Sequence, residues 1–347
     1  MTESIGIAIV GVGWAGSRHA EAIAELRGVD ERVFLDCFVD SDSDHLAKTA
    51  AQFGVEKTYT ELAGALNDPA VGVIDIATPH TLHCEMAILA AGAGKHVIVE
   101  KPMAMDVAEA TRMMEAAEAN DVKLFVAENH SYEPYIDFLR GVVSTGDLIG
   151  MITTASVSSG FRSSSRYGYP GRRAWLAEPE LGGTGTWMLH GIHTLAGVRR
   201  VFGEVSRVYV QEHKNESFDR DDMEGTMSGL LTMESGLNVS VVQSPETKFR
   251  GNTGGFLLHG ERGSIRATAE GYELFADGED SSVRPYPAVG LSSYALEFAA
   301  FADYVAGDDS VATTGYLERR TLSVIQAGAE SAVSGQAVEI RERFGDL

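Results

Sequence analysis

Residues 5–16 read Ile-Gly-Ile-Ala-Ile-Val-Gly-Val-Gly-Trp-Ala-Gly, and this stretch decides the fold. The run before Gly11 is apolar and short, which is typical of a buried parallel strand. Residues 17–26 then continue with the spacing of a helix. In a strand–G-x-G-x-x-G–helix unit, Gly11 makes the tight turn, Gly13 lets the backbone approach a pyrophosphate, and Gly16 allows close helix packing. The pattern predicts a dinucleotide-binding unit.

The residue that follows the second predicted strand supports this interpretation. Residues 33–39 form that strand, and Asp40 stands at its end. A carboxylate there can accept hydrogen bonds from the adenosine ribose hydroxyls and repels a 2′-phosphate. Residues 41–45 contain no arginine or lysine to hold such a phosphate. We therefore expect NAD rather than NADP, and the structural alternative for Asp40 is a helix N-cap.

The segments that follow continue to alternate between strands and helices. Strands are predicted at residues 73–77, 97–100 and 123–127, and helices at residues 84–93 and 105–120. Alternating elements of these lengths predict a doubly wound parallel sheet of the α/β class.

Length and composition limit the protein class. A chain of 347 residues exceeds the size at which single cores stop growing, so we predict a dinucleotide-binding domain at 1–127 and a second domain at 128–347. The net charge of -22 argues against nucleic acid and anionic membranes as partners. Only Cys37 and Cys84 are present, which suits a reducing compartment. Without a signal or membrane-span pattern, a cytoplasmic location is expected.

Residues 95–102 read Lys-His-Val-Ile-Val-Glu-Lys-Pro, an apolar run that ends in a carboxylate, an ammonium and a proline. Ligands of open α/β sheets bind beyond the carboxyl ends of the strands, so Glu100 and Lys101 are expected at the cofactor crevice. The alternative is a strand that ends in two solvated charges. His80 and His83 could suggest a metal site, but no third ligand is evident nearby, so no metal is predicted.

Several motifs along the chain belong together: the glycine turn at 11–16 with His19 behind it, Ala77-Thr78-Pro79 with His83, Glu100-Lys101-Pro102, residues 175–185, Gly191-Ile192-His193, and residues 258–265. They resemble the glucose–fructose oxidoreductase / inositol dehydrogenase family, also called Gfo/Idh/MocA. The resemblance implies a Rossmann domain followed by an α/β domain with a large, mostly antiparallel sheet that is open on one face. In the family that face meets another subunit, so a homodimer or homotetramer is expected.

The residues of the second half are compatible with such a sheet. Short strands are predicted at residues 205–211, 226–233, 237–244, 255–258 and 264–268. The resemblance also implies an NAD site, whose expected residues are Gly11, Gly13, Trp14, Ala15, Gly16, Asp40, Ala77, Thr78, Pro79, His83, Glu100, Lys101 and Asn129.

The resemblance further implies how the chemistry is divided. Lys101 matches the family lysine at the substrate hydroxyl, and His193 matches the histidine that we take as the general base. The structural alternative for His193 is a satisfied core histidine. The family pattern places an aspartate four residues earlier on the same helical face, and Leu189 stands there. His190 beside it is expected either to contact substrate and share the proton transfer or to make a structural hydrogen bond.

Two segments are expected to line the substrate site. The loop at 129–134 contains Tyr132 and lacks the arginine that is frequent in the family, which disfavours phosphorylated or strongly anionic substrates. The polar, aromatic segment at 161–170 contains Arg162 and Tyr167, and Trp175 follows it. The alternatives are an ordinary surface loop for that segment and a core position for Trp175.

These expectations describe an NAD-dependent dehydrogenase acting on a CH–OH group of a small polyol or carbohydrate, such as a sugar, cyclitol, sugar acid or glycoside. Three alternatives stay open. One is a dehydrogenase of a cyclic diol derived from an aromatic acid. Another is an enzyme that eliminates a glycosidic substituent with the help of NAD, and the last is an NAD-binding sensor without turnover.

Overall fold

The structure is a computed structural model that describes residues 4–160, 171–182, 185–216, 218, 220–247 and 254–347. Its first half alternates strands and helices. The strands are β1 (Ile5–Val10), β2 (Val33–Val39), β3 (Lys57–Tyr59), β4 (Val71–Ile76), β5 (His96–Glu100) and β6 (Leu124–Ala127). The helices are α1 (Trp14–Leu26), α2 (Ser43–Phe53), α3 (Leu62–Leu66), α4 (His83–Gly92) and α5 (Val107–Ala119).

The six strands form one parallel sheet in the order β3-β2-β1-β4-β5-β6. Helices cover both faces, so the strand interiors are apolar throughout, as Val97, Ile98 and Val99 in β5 illustrate. The strand order reverses between β1 and β4, and a crevice opens there at the carboxyl ends of the strands. The predicted Rossmann fold is confirmed.

The second half contains a helix, a long strand and two consecutive helices, followed by a strand-rich region and two more long helices. Its elements are α6 (Pro134–Thr145), β7 (Ile152–Gly160), α7 (Thr186–Leu189), α8 (Gly191–Phe202), β8 (Val205–His213), β9 (Thr226–Met233), β10 (Asn238–Ser244), β11 (Gly255–Gly260), β12 (Gly263–Thr268), β13 (Gly271–Ala276), α9 (Ser293–Val305), α10 (Gly315–Ser334), β14 (Val338–Glu339) and α11 (Ile340–Phe344).

Eight of these strands form a second sheet in the order β13-β12-β11-β7-β10-β9-β8-β14. Every neighbouring pair is antiparallel except β7 and β10, which run parallel. Val208 and Val210 on one face are buried, and Ser331 of α10 accepts and donates hydrogen bonds at Val210. On the other face Tyr209 and Leu230 are partners in the ladder and are 37% and 41% exposed. The expected mostly antiparallel, open-faced sheet is therefore confirmed.

One helix of the second half returns to the first sheet. Phe298 and Phe301 of α9 are buried in a cluster with Ile9 of β1 and Phe125 of β6. The residues just before α10 also pair with β6, through a bridge between Thr314 and Phe125. The packing core of the first sheet therefore includes α9, and the domain boundary at 127 stays a prediction. None of the helices in the described ranges combines the length and apolar character that a bilayer span requires.

Candidate active site

The crevice is a cavity of about 670 Å³ that lies between the two halves of the chain. Most of the predicted site residues line it: Gly11, Gly13, Trp14, Ala15, Asp40, Ala77, Thr78, Pro79, Glu100, Lys101, Asn129, Trp175, His190 and His193. Because these residues come from strand ends, from the glycine turn, from the segment before α7 and from the start of α8, the fold brings distant parts of the sequence to one site.

The glycine turn leaves room for an anion at the start of α1. Gly11 adopts a φ of +89°, and a side chain at Gly16 would overlap the carbonyl of Gly11. Gly13 faces open space and is the N-cap of α1. The first turn of this helix has neither an acidic residue nor a side-chain cap, so its N–H groups are available to a pyrophosphate. The turn therefore fits NAD.

Asp40 lines the cavity at the end of β2, where the adenosine ribose is expected to bind. Its carboxylate accepts the backbone N–H of Val12 at 3.1 Å and that of Asp42 at 2.9 Å. The helix N-cap is Asp42, which accepts from His45, so the capping alternative for Asp40 does not hold. Arg172 reaches Asp40 from the second half of the chain at 2.8 Å.

Three polar side chains, those of Asp75, His19 and Glu100, contact one another in series and hold the end of β5 in place. His19 is fully buried and its Nδ1 lies 2.9 Å from Asp75, while its Nε2 lies 3.3 Å from Glu100. These carboxylates outweigh burial and hold the pKa of His19 well above its ordinary value. Glu100 in turn accepts the backbone N–H of Lys101 at 2.9 Å, which fixes the strand end. His83 lies behind the cavity wall, where its ring bonds the carbonyls of Thr78 and Pro102.

Lys101 extends from the end of β5 into the cavity. Its Nζ donates to the backbone carbonyl of Leu189 at 2.9 Å. Burial lowers the pKa of Lys101, and the carboxylates of Glu100 and Glu128 oppose that shift. The ammonium therefore points towards the second half of the chain and not into bulk solvent.

His193 lies opposite Lys101 and is held on two sides. Its Nδ1 is 2.6 Å from Oε1 of Glu128, a side chain with no exposed surface. The ring of His130 stacks on that of His193, with centroids 4.0 Å apart and planes 18° from parallel. Burial and the charge of Lys101 lower the pKa of His193 well below its ordinary value. The imidazole is therefore neutral at neutral pH and can accept a proton.

His190 interrupts the helix that the family pattern led us to expect across residues 189–193. Helix α7 ends at Leu189, and α8 begins at Gly191. The side chain of His190 lines the cavity, and burial, reinforced by Lys101 and His193, lowers its pKa to about 2. A neutral His190 beside Lys101 can bond a substrate hydroxyl without adding charge.

The remaining predicted substrate residues divide into three groups. Trp175 lies at the cavity, and its ring packs edge-on against His80 at 4.8 Å. Tyr132, by contrast, is directed away from the cavity, because its hydroxyl bonds Thr313 and its ring packs with the core around α9. The predictions for Arg162 and Tyr167 lie outside the described residues.

One wall of the cavity is apolar. Leu189 is 4% exposed and packs with Leu176 and Trp175.

Neither in the cavity nor in the rest of the described ranges do three His, Cys, Asp or Glu side chains come together in a way that could hold a metal ion.

Two residues of the site, Glu128 and Arg172, were not predicted from the sequence. Glu128 follows β6, and Arg172 precedes Trp175. His130 belongs to the loop at 129–134, which was expected to line the substrate site. The position of Glu128 directly after a parallel strand was a usable signal, because Glu100 and Asp40 stand at equivalent positions. Arg172 gave no such signal, since its contacts with Asp40 span 132 positions of the sequence.

Comparison with known proteins identifies the family of the chain. Two family models match: "Oxidoreductase family, NAD-binding Rossmann fold" over residues 5–128 and "GFO/IDH/MocA C-terminal domain" over residues 139–266. D-apiose dehydrogenase of Paraburkholderia graminis is 27% identical, and the alignment covers 96% of this chain and 89% of that protein. Myo-inositol 2-dehydrogenase of Thermotoga maritima is 31% identical over 41% of each chain.

A solved structure of levoglucosan dehydrogenase in complex with NADH and levoglucosan has the same fold. Its TM-score is 0.85 at 22% identity, with 97% of this chain and all of that chain covered. The family model of the first half and the named dehydrogenases among the relatives define an NAD-dependent oxidoreductase of the dehydrogenase class. Within that class, the chain belongs to the Gfo/Idh/MocA oxidoreductase family, because its two family models together span most of the sequence.

Proposed function

We propose that the protein oxidises a secondary alcohol of a sugar, cyclitol, sugar acid or glycoside with NAD. The observation that carries the proposal is that Lys101, His193 and the glycine turn open into one cavity. An ammonium, a neutral imidazole and an anion-binding helix start are the three groups that such a reaction requires from the protein.

The side chains divide the reaction as follows. Lys101 donates a hydrogen bond to the substrate hydroxyl and stabilises the negative charge that develops on its oxygen. Nε2 of His193 accepts the hydroxyl proton, because Nδ1 is already engaged by Glu128. NAD, when bound, supplies the hydride acceptor. The protein must therefore place the carbinol between these two side chains.

The cavity lining favours an uncharged, hydroxyl-rich substrate. His130 and His190 are neutral because burial lowers their pKa values to about 3 and about 2. Neutral imidazoles offer one donor and one acceptor each, which matches hydroxyl groups. Trp175 adds a ring face or edge against which an apolar sugar face can pack.

A substrate panel tests the proposal. The purified protein is incubated with NAD and with sugars, cyclitols, sugar acids and aromatic dihydrodiols, and NADH absorbance is recorded. We expect NADH to accumulate with at least one sugar or cyclitol. The absence of NADH with every polyol, despite measurable NAD binding, would contradict the proposal and favour a sensor. Product without net NADH would indicate elimination of a glycosidic substituent.

A second candidate is a dehydrogenase of a cyclic diol derived from an aromatic acid. The specific observation in its favour is the apolar wall of Leu176 and Leu189, which suits a carbocyclic ring better than a fully hydroxylated one. In the same panel, NADH formed from a dihydrodiol and not from sugars would select this candidate.

We also propose that the protein is a cytoplasmic homodimer or homotetramer joined through the open face of the second sheet. Tyr209, Leu230 and Phe275 are strand residues that remain 37–41% exposed. An apolar sheet face of this kind is most stable against another layer.

A further inference from the structure

Glu128 is a buried carboxylate that lies outside the family motifs recognised in the sequence. It follows β6, has no exposed surface, and lies 2.6 Å from Nδ1 of His193. We propose that Glu128 is the positioning residue of the general base, a role that Leu189 cannot fill. The inference rests on the proposed dehydrogenase function, and it assigns to Glu128 the task of orienting and polarising His193.

The geometry determines which ring nitrogen faces the substrate. When the Glu128 carboxylate accepts Nδ1–H, the lone pair of the neutral ring is on Nε2. His193 lines the cavity, so Nε2 is the nitrogen that can reach a substrate hydroxyl. A carboxylate that holds an imidazole in this way fixes both its tautomer and its orientation.

Two further contacts make this arrangement rigid. Oε1 of Glu128 also accepts the backbone N–H of His130 at 3.1 Å, which anchors the carboxylate to the chain. The His130 ring stacks at 4.0 Å on His193 and limits rotation of the imidazole. The base is thus held by a hydrogen bond in its plane and by a ring on its face.

The burial of Glu128 indicates a purpose other than stability. Within the described residues, its Oε2 is buried without a hydrogen-bond partner. A buried carboxylate with an unsatisfied oxygen destabilises the folded state, and such groups occur preferentially at functional sites. Lys101 compensates the charge across the site, although its own hydrogen bond goes to Leu189.

The proton and electron balance needs no further partner. As the hydride leaves the carbinol carbon for NAD, the O–H bond breaks, its electron pair forms the carbonyl, and the proton moves to Nε2 of His193. The proton on Nδ1 stays there, and the carboxylate of Glu128 stabilises the imidazolium by charge. Glu128 therefore acts through His193 and does not touch the reacting atoms.

The arrangement also has a defined pH dependence. Burial raises the pKa of Glu128 to about 7, whereas His130 and Lys101 oppose that shift. Protonated Glu128 would donate to Nδ1, which moves the ring proton to Nε2 and removes the base. Oxidation should therefore rise as pH increases through about 7. The titratable groups that face Glu128 from the surrounding elements are Glu100, Lys101, His130, Tyr135, His193, Tyr294, Glu297 and Glu318.

The test compares Glu128→Gln with Glu224→Gln. Burial also raises the pKa of Glu224 to about 7, and its Oε2 is buried without a hydrogen-bond partner within the described residues, as for Glu128. Glu224 does not line the cavity and is not among the groups that face Glu128, so it is a matched control. For Glu128→Gln we expect kcat to fall by a factor of about 10², with little change in KM or NAD affinity, and the rise near pH 7 to disappear. Glu224→Gln should keep kcat and the pH profile. Equal kcat values and profiles in both variants would overturn the inference.

A second test observes His193 in the wild-type protein, so it depends neither on whether Glu128→Gln folds nor on turnover. Histidine labelled with ¹⁵N reports the tautomer of each ring by NMR, and a His193→Gln variant identifies the His193 signals. We expect His193 to carry its proton on Nδ1 above about pH 7 and on Nε2 below it. A proton on Nε2 at every pH would overturn the inference. Failure of the substrate panel with the expected tautomer would instead contradict only the proposed function.

Discussion

The guanidinium of Arg172 lies 2.8 Å from the carboxylate of Asp40, and both residues line the cavity. The same side chain reaches Asp42 at 2.7 Å, so one arginine from the second half of the chain contacts two carboxylates of the first. The preference for NAD was predicted partly because residues 41–45 contain no arginine or lysine. Arg172 nevertheless brings a cation to Asp40, which forms an ion pair with it.

The first prediction concerns that pair. Asp40→Asn keeps an acceptor oxygen for only one of the two N–H groups, those of Val12 and Asp42, that Asp40 accepts. It removes the negative charge that repels a 2′-phosphate and leaves Arg172 paired with Asp42 alone, so the guanidinium can also contact that phosphate. We expect the ratio of kcat/KM with NADP to that with NAD to rise by about tenfold or more, the effect of roughly 1.4 kcal/mol. Steady-state kinetics with both cofactors measures it.

Asp42→Asn is the matched control, because asparagine is an equally good N-cap for α2 and Asp42 is not part of the cavity lining. It should leave the cofactor ratio near that of the wild type. An unchanged ratio in Asp40→Asn would contradict a role of this carboxylate in selecting NAD.

The second prediction concerns Lys101. Lys101→Met keeps most of the side-chain volume and removes the ammonium, so the developing charge on the substrate oxygen loses its stabilising partner. We expect kcat to fall by a factor of about 10²–10⁴ while NAD affinity stays close to that of the wild type. Turnover and NAD titration measure the two quantities. Lys123→Met, which removes an ion pair with Asp309, should turn over normally. Full activity in Lys101→Met would refute its assignment.

The third prediction tests packing at the base of α7. Trp187 is fully buried, donates to the carbonyl of Ile325 and packs against Gly328 of α10. A Cβ at Gly328 would lie 2.5 Å from the indole, so Gly328→Ala should lower the free energy of unfolding by about 1–3 kcal/mol. A Cβ at Gly141 of α6 would meet open space, so Gly141→Ala should raise the free energy of unfolding by about 0.4–1 kcal/mol. Denaturant unfolding measures both, and shifts of the same sign would contradict this packing.

The fourth prediction addresses assembly. Leu230→Asp places a charge on the open face of the second sheet, where a subunit interface would bury it without a partner. We expect the oligomer to dissociate at micromolar concentration, as measured by light scattering after size exclusion. Val333→Asp on α10, where the side chain is 92% exposed, is the control and should leave the mass unchanged. An unaltered mass in Leu230→Asp would place the interface elsewhere.

The features that could be predicted from the sequence depend on local patterns of residues. The glycine turn, the apolar run of β5 and the Asp40 that follows β2 each depend on neighbours a few positions away, so period and turn chemistry were enough to predict the Rossmann fold. Five of the eight strands of the second sheet were predicted within a few residues for the same reason, whereas β7, β13 and β14 were not predicted. Local pattern also placed Glu100 and Lys101 at a strand end.

Contacts between side chains that are far apart in the sequence could not be predicted, because they depend on the tertiary structure. Glu128 and His193 are 65 positions apart, and their contact depends on how α8 packs against the end of β6. The break of the helix at His190 and the orientation of Tyr132 towards Thr313 are likewise set by packing. Long-range contacts of this kind leave no periodic signal in the sequence, because they arise from the relative placement of whole elements and not from the spacing of residues within one.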